Sequence, residues 1–511
     1  MNKDISSILE LIQQNNLDKA FQVANSLFEK NNTNHNLIKI LAYIYMQKNN
    51  FAKSEELLKK GLSLHPSLRD FDYFNNLGYC LLRMEEYQEA LSFLEKAKEV
   101  NQDAPSVWTN LSEVFLALRD FNTAREHIDI AISKIDIRNT NKITEQTNVF
   151  WMMSVINTSL KRDDDTINMF IDILKNQFNE NIFYLLSTIK PGSIASEILE
   201  IALDKIKLNQ EKFENKLKRF YFVTPLYFGL ANYYHYQKDK FESEKFYHLG
   251  NKEIFNSTRY NSFAYQKKIS KSVEYYEHNF LNFESDNQQL GQNNFFIVGS
   301  PRSGTTLLES IVTANEEVFS GGELTSAKEL ISRNIHNSNF NVNEFYKDFT
   351  NLYLKRTDFI KGNHDKIVDK LPENFLYLGI LLKFLPGTKI IRIFRNPWDI
   401  AISLYKQRYV QNIPYSSSFF NIGVFLANFE AINLYWNKIL SDTNSNAVMD
   451  VYYEDLVHNQ EMNQKEIYNF LGLKSEYSSS KRAEFFSTTA SMRQVQGSIY
   501  QKSVDKREFE D

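Results

Sequence analysis

A repeat of roughly 34 residues governs the first 135 positions of this chain, a length that corresponds to one helix–turn–helix unit. Leu17, Phe51, Tyr87 and Phe121 recur at spacings of 34, 36 and 34 residues. A small residue follows three positions after each, at Ala20, Ser54, Ala90 and Ala124, and seven further on stand Leu27, Gly61, Ala97 and Ala131. Ala42, Gly78 and Ser112 align in the preceding helix of each unit. Pro66 and Pro105 fall after the second helices, where proline ends a helix at little cost. One such unit cannot bury its own apolar face, so the units must stack, and small residues at the contacts let the helices approach closely. The pattern weakens through 140–215, where FWMMSVINTSL and TINMFIDIL keep only helical spacing. It returns at 225–250 with Ala231, Phe241 and Ser243 in matching places.

Residues 281–294, LNFESDNQQLGQNN, are polar and aperiodic and read as a linker. Beyond them the pattern changes. Phe295-Phe296-Ile297-Val298 is a short apolar run that stops at Gly299; Ser300-Pro301-Arg302-Ser303 forms a loop, and Gly304-Thr305-Thr306 leads into LLESIVTA. Strand, glycine-bounded loop and helix together wrap backbone N–H groups around a phosphate. The Gly299 to Gly304 spacing is that of a P-loop, but Thr305 stands where the Walker lysine would be, and the positive charge is inside the loop at Arg302. Three further strands are expected at Glu317–Phe319, in DKIVDKLP and at Lys389–Phe394, with a last one at Ala447–Tyr453, most of them followed by a helical pattern. Alternation of this kind gives a parallel sheet covered on both faces, with ligands at the carboxyl ends of its strands. Arg302, Glu323, Lys370 and Arg395 all fall just past such an end. The expected fold class is therefore α plus α/β: a helical solenoid over 1–280, the linker, and an α/β domain over 295–511.

Composition narrows the function. The net charge of −4 offers no global field for nucleic acid. No apolar run reaches the ~20 residues of a membrane span, and the N-terminal MNKDISSILELIQQNN is too polar for a signal peptide. The single cysteine, Cys80, excludes an internal disulfide and a cysteine-built zinc site and fits a reducing cytoplasm. No His/Asp/Glu cluster has metal-ligand spacing; His336 and His364 are isolated.

SPRSGTTLLES, SGGEL, DKLPENF and IFRNPWDIAISLYKQ together resemble the sulfotransferases that use 3′-phosphoadenosine 5′-phosphosulfate (PAPS), and the N-terminal units resemble tetratricopeptide repeats. The branch resembled is the bacterial repeat-bearing sulfotransferases, relatives of the tyrosylprotein sulfotransferases. This resemblance implies sulfuryl transfer from PAPS to an acceptor hydroxyl, on a peptide or protein tyrosine, a saccharide or a small molecule, with PAP as product and no metal. It implies that Ser303, Gly304, Thr305 and Thr306 hold the 5′-phosphate and that Arg302 stabilises the bridging oxygen and the sulfuryl group. Arg395 and Ser403 would take the 3′-phosphate, Tyr453 would pack near the adenine, Glu323 would be the general base and Lys370 would bind the sulfuryl oxygens. Ser491, Lys502 and Lys506 would be further nucleotide contacts, although Arg507 stands about where relatives carry a tryptophan. The stacked repeats would offer a groove to a peptide or protein, including the acceptor itself, or a face for a homodimer.

Two other readings stay open. A P-loop kinase would need a Walker-B aspartate, for which Asp369 and Asp399 are imperfect candidates. A repeat scaffold fused to a decayed sulfotransferase fold would keep the architecture without the turnover.

Overall fold

The computed structural model describes residues 2–14, 16–67, 69–135, 143–209, 216–258, 260–334, 340–409, 413–442 and 446–474. Packing divides the chain into two compact units, residues 1–162 and 163–511.

The first unit is helical: Asn2–Gln13, Leu17–Lys30, His35–Gln47, Phe51–Leu64, Phe71–Arg83, Tyr87–Val100, Pro105–Ala117, Phe121–Ser133 and Ile143–Ser159. The side chains of Asn16, Asn34, Asn50, Asp70 and Asp120 accept first-turn N–H groups, which fixes where five of these helices begin. Asn49, Glu85 and Arg119 close the turns inside successive units with φ of 56°, 64° and 65°, the left-handed residue that commonly ends a helix. The small positions of the repeat lie in the contacts. Ala20, Ala90, Ala97, Ala124 and Ala131 are fully buried. A Cβ on Gly61 would stand 2.6 Å from the Tyr73 ring, and one on Gly78 would stand 2.6 Å from Leu94.

The second unit opens with six more helices, Asp163–Asn176, Glu180–Ile189, Ser196–Asn209, Lys216–Tyr236, Lys240–Thr258 and Ser262–Asn279. Helices thus persist where the repeat consensus fades. They share a unit with the sheet, whereas the sequence alone suggests a division at 281–294. His248 Nδ1 lies 2.6 Å from the Tyr405 hydroxyl, and Asn251 donates to the Tyr405 carbonyl at 2.8 Å. Tyr276 packs edge-on against Trp436, with ring centres 5.2 Å apart. The segment expected as a linker is itself packed. The Phe283 ring sits 5.2 Å from that of Tyr346 and 5.4 Å from that of Phe384, and Ser285 bonds the Tyr346 hydroxyl at 2.8 Å.

Five parallel strands follow: β1 (Asn294–Gly299), β2 (Val318–Gly322), β3 (Lys366–Asp369), β4 (Lys389–Phe394) and β5 (Val448–Tyr452), in the order β2-β3-β1-β4-β5. Each expected strand is found within a few residues. Central β1 is buried along its whole length, as a parallel strand covered on both faces must be. Phe296 and Val298 join a core with Phe349, Tyr353 and Trp436. Phe295 and Ile297 join another with Leu308, Ile311 and Val451. From β1 the chain goes first to the β2–β3 side and later to the β4–β5 side. The carboxyl end of β1 is therefore the switch point where open α/β sheets leave a crevice. Gly299 pairs with Ile393 there, so the loop after β1 and the turn after β4 emerge side by side.

Candidate active site

Sterics dictate the loop after β1. A Cβ on Gly299 would lie 2.7 Å from the Ile393 carbonyl oxygen, and one on Gly304 would lie 2.3 Å from Tyr453 Cδ2. Gly304 also has φ of +106° and precedes the Thr305–Val312 helix with no side-chain cap. Arg302 holds φ of +69°, an uncommon conformation for a residue with a Cβ that surrounding contacts must enforce. One such contact is visible: Arg395 Nη1 donates to the Arg302 carbonyl at 3.1 Å. Ser303, Thr305 and Thr306 are buried in the loop and first turn, and the Ser303 hydroxyl has no hydrogen-bond partner among the described residues.

The β4 turn closes on this loop. Asn396 caps the Pro397–Tyr405 helix, and proline occupies its first position. Ser403, two turns in, accepts from Arg302 Nε at 2.8 Å. The Arg395 guanidinium lies 4.2 Å over the Tyr453 ring and 3.7 Å from Asp399. Burial lowers the pKa of Arg395; Tyr453 and Asp399 oppose that effect, and the nearby Arg302 charge adds to it. Two guanidinium groups, those of Arg302 and Arg395, stand together here, and the carboxylates of Asp399 and Glu454 both act on Arg395. The Tyr453 ring supports both Gly304 and Arg395, so in this structure it works as a packing element of the cleft.

The opposite wall comes from β2 and β3. The β2–β3 register shifts between Ser320 and Gly322, leaving Gly321 as the extra residue of a bulge. A Cβ on Gly321 would lie 2.9 Å from the Val368 carbonyl oxygen, and Gly322 has φ of +68°. This kink presents Glu323, whose side chain is 41% exposed. Lys370, directly after β3, is anchored by its own N–H to the Gly322 carbonyl at 2.8 Å. Its side chain is fully buried, with Nζ donating to Glu323 Oε1 at 2.8 Å. Glu309 Oε2 lies 3.7 Å from the same ammonium. Burial raises the pKa of Tyr409, whose hydroxyl bonds Arg302 and feels the charge of Glu323.

Residues 294–477 match the sulfotransferase family. Residues 40–68 and 71–103 match the tetratricopeptide repeat. A protein of Aquifex aeolicus (strain VF5) named "Uncharacterized protein" is 30% identical over 233 residues, 41% of this chain and 30% of that protein. A Caenorhabditis briggsae protein named "Putative protein-tyrosine sulfotransferase" is 25% identical over 194 residues, 35% of this chain and 65% of that one. This chain thus spans less than two thirds of either relative. Among solved structures, MamA is similar at 17% identity and a TM-score of 0.27, covering 32% of this chain and 91% of MamA. A thermophilic tetratricopeptide-repeat protein of Thermus thermophilus is similar at 14% identity and a TM-score of 0.29, covering 34% of this chain and 91% of that one.

The domain over 294–477 brings the sequence-selected residues into two contact groups, Arg302–Ser403–Arg395–Tyr453 and Glu323–Lys370. Sequence reasoning missed Glu309, Ser320, Tyr409 and Tyr184. Tyr184, on the Glu180–Ile189 helix, lies where the charges of Arg408 and Arg302 reach it, and burial raises its pKa. Only Glu309 carried a local signal, as an acid within the apolar helix LLESIV. The Walker-B candidates are otherwise engaged: Asp369 accepts from the Tyr353 hydroxyl at 3.0 Å, and Asp399 faces Arg395. His364 is exposed and bonds the Lys361 carbonyl. Among the described residues no group of three or more His, Cys, Asp or Glu side chains could hold a metal ion, and no helix is long and apolar enough to cross a membrane. His336, Ser491, Lys502 and Lys506 lie outside the described residues.

Proposed function

We propose that the sulfotransferase domain transfers a sulfuryl group from PAPS to an acceptor hydroxyl. The observation that carries this reading is the direct joining of loop and turn, Arg302 Nε to Ser403 and Arg395 to the Arg302 carbonyl, at 2.8 and 3.1 Å. The loop would offer a 5′-phosphate the backbone N–H groups of Gly304, Thr305 and Thr306 and the hydroxyls of Ser303, Thr305 and Thr306, while the Ser303 N–H donates to the Ser300 carbonyl at 3.1 Å. A planar arginine fork with Ser403 suits a second phosphate. The missing Walker lysine and the engaged Asp369 and Asp399 favour this reading over a kinase. The presence of Glu323 and Lys370 in one contact favours it over a decayed scaffold.

In the proposed step the acceptor oxygen forms a bond to sulfur while the bond from sulfur to the 5′-phosphate oxygen breaks. The acceptor proton goes to Glu323, Arg302 and Lys370 stabilise the charge spreading onto the leaving oxygen and the sulfuryl group, and PAP departs. A sulfuryl group carries less charge than a phosphoryl group, so these cations suffice without a metal. The C. briggsae relative's name favours a peptide hydroxyl as acceptor, which the stacked repeats would bind. We further read the chain as cytoplasmic, and its repeat faces as able to support a dimer.

The test combines calorimetry with PAP and with ATP, and PAPS turnover in the presence of cell extract. Wild type is expected to bind PAP and not ATP and to label an acceptor. Glu323→Gln is expected to keep PAP affinity and lose about 10²–10⁴-fold in turnover. Arg395→Ala is expected to lose PAP affinity. ATP binding without PAP binding would establish the kinase reading; neither binding nor turnover would establish the scaffold.

A further inference from the structure

The Thr305–Val312 helix carries an acid that the proposed step does not use. Glu309 is fully buried, one turn beyond the threonines of the loop. Its Oε1 accepts from Ser320 Oγ at 2.7 Å. Its Oε2 makes no hydrogen bond among the described residues and faces Lys370 Nζ at 3.7 Å. An ionised carboxylate is retained in a buried site only with a cation for company. Here the cation is the fully buried Lys370, which also donates to Glu323. One ammonium is thus shared by two carboxylates that differ in kind. Glu309 is enclosed and tied to β2, whereas Glu323 is 41% exposed at the kink that ends β2.

Resting on the assignment of Glu323 as base, we propose that Glu309 is a positioning residue. It holds Lys370 on the floor of the cleft, so that Glu323 can leave the ammonium and take the acceptor proton. A base whose carboxylate is the sole partner of a buried lysine is held as an ion pair, and its proton affinity is spent on that pair. A second, immobile carboxylate divides the attraction. When Glu323 turns to the acceptor, Lys370 keeps a counter-charge and stays aimed at the sulfuryl oxygens. Because Glu309 also sits on the helix that starts at Thr305, the same contact ties the phosphate loop to the β2–β3 wall. Among the described residues Lys370 is the charged group in contact with Glu323, Glu309 lies behind Lys370, and the charge of Glu323 also reaches Tyr409, which bonds Arg302.

The test uses the full chain with PAPS and with water as acceptor, following PAP release across pH, alongside calorimetry with PAP. Glu309→Gln is expected to leave PAP affinity within about twofold, to slow PAPS cleavage at least tenfold, and to move the acid limb of the pH–rate profile to lower pH. Ser320→Ala, which frees Glu309 without removing its charge, is expected to slow cleavage in the same direction by a smaller factor, and it decides the matter if the first variant does not fold. Cleavage within twofold of wild type with an unmoved acid limb would overturn the proposal. So would a loss of PAP affinity parallel to the loss of rate, because Glu309 would then merely buttress the loop. A wild type that neither binds PAP nor cleaves PAPS would instead remove the sulfotransfer reading, and this inference with it.

Discussion

Gly304→Ala is expected to abolish the proposed nucleotide binding and to destabilise the α/β domain at once. The new methyl group would stand 2.3 Å from Tyr453 Cδ2. That ring cannot retreat freely, since the Arg395 guanidinium lies 4.2 Å over it and the residue is buried. The φ of +106° adds strain that only glycine escapes, about 1–3 kcal/mol for a side-chain-bearing residue in such a region. Relief of the clash would displace the loop, Tyr453 or both, and Arg395 would move with them. PAP affinity should fall by at least ~100-fold, the loss of about two charge-assisted hydrogen bonds, with a lower melting temperature. Calorimetry and thermal denaturation check this. Adding Tyr453→Ala should recover some stability by removing the collision, but not affinity, since the backbone strain persists. A single variant that binds PAP like wild type would show that the loop does not depend on this packing.

Lys370→Met is expected to cost more stability than any other change at the cleft. It strands Glu309 as a fully buried carboxylate with only Ser320 donating to it among the described residues. Removing one partner of a buried ion pair typically costs about 3–5 kcal/mol, which would appear as a lower urea midpoint with an unchanged slope. The proposed sulfuryl transfer should vanish as well, because the ammonium that Glu323 contacts is gone. The double change Lys370→Met with Glu309→Leu separates these effects, since replacing a buried pair by apolar groups is often neutral in stability. It should restore most of the midpoint and none of the turnover. If the single variant unfolds within about 1 kcal/mol of wild type, the charge on Glu309 does not depend on Lys370.

Much of this was legible because the determining signals are local. The period through Leu17, Phe51, Tyr87 and Phe121 fixed helix pairing in advance, since close approach requires a small residue at a fixed offset. Strand ends at Gly299 and Phe394 were readable from apolar runs stopped by glycine or an Arg-Asn-Pro turn. What escaped was non-local. The helices at 163–279 carry a weak consensus, and only their packing through Tyr276, His248 and Asn251 shows that they share a unit with the sheet. The polar stretch at 281–294 reads as a free tether, yet Phe283 and Ser285 pin it down. Tyr409 and Tyr184 reach Arg302 through folding alone, and no spacing rule links positions so far apart. Glu309 was visible as a charge in an apolar helix, but its partners on β2 and beyond β3 were not.

The two bonds on Tyr405 bear on how the chain can be dissected. Tyr405 lies two residues beyond Ser403 on the same helix, and its hydroxyl and carbonyl are both held by the Lys240–Thr258 helix, at 2.6 and 2.8 Å. Trimming the protein to its α/β portion would therefore unfasten the serine proposed to meet the 3′-phosphate.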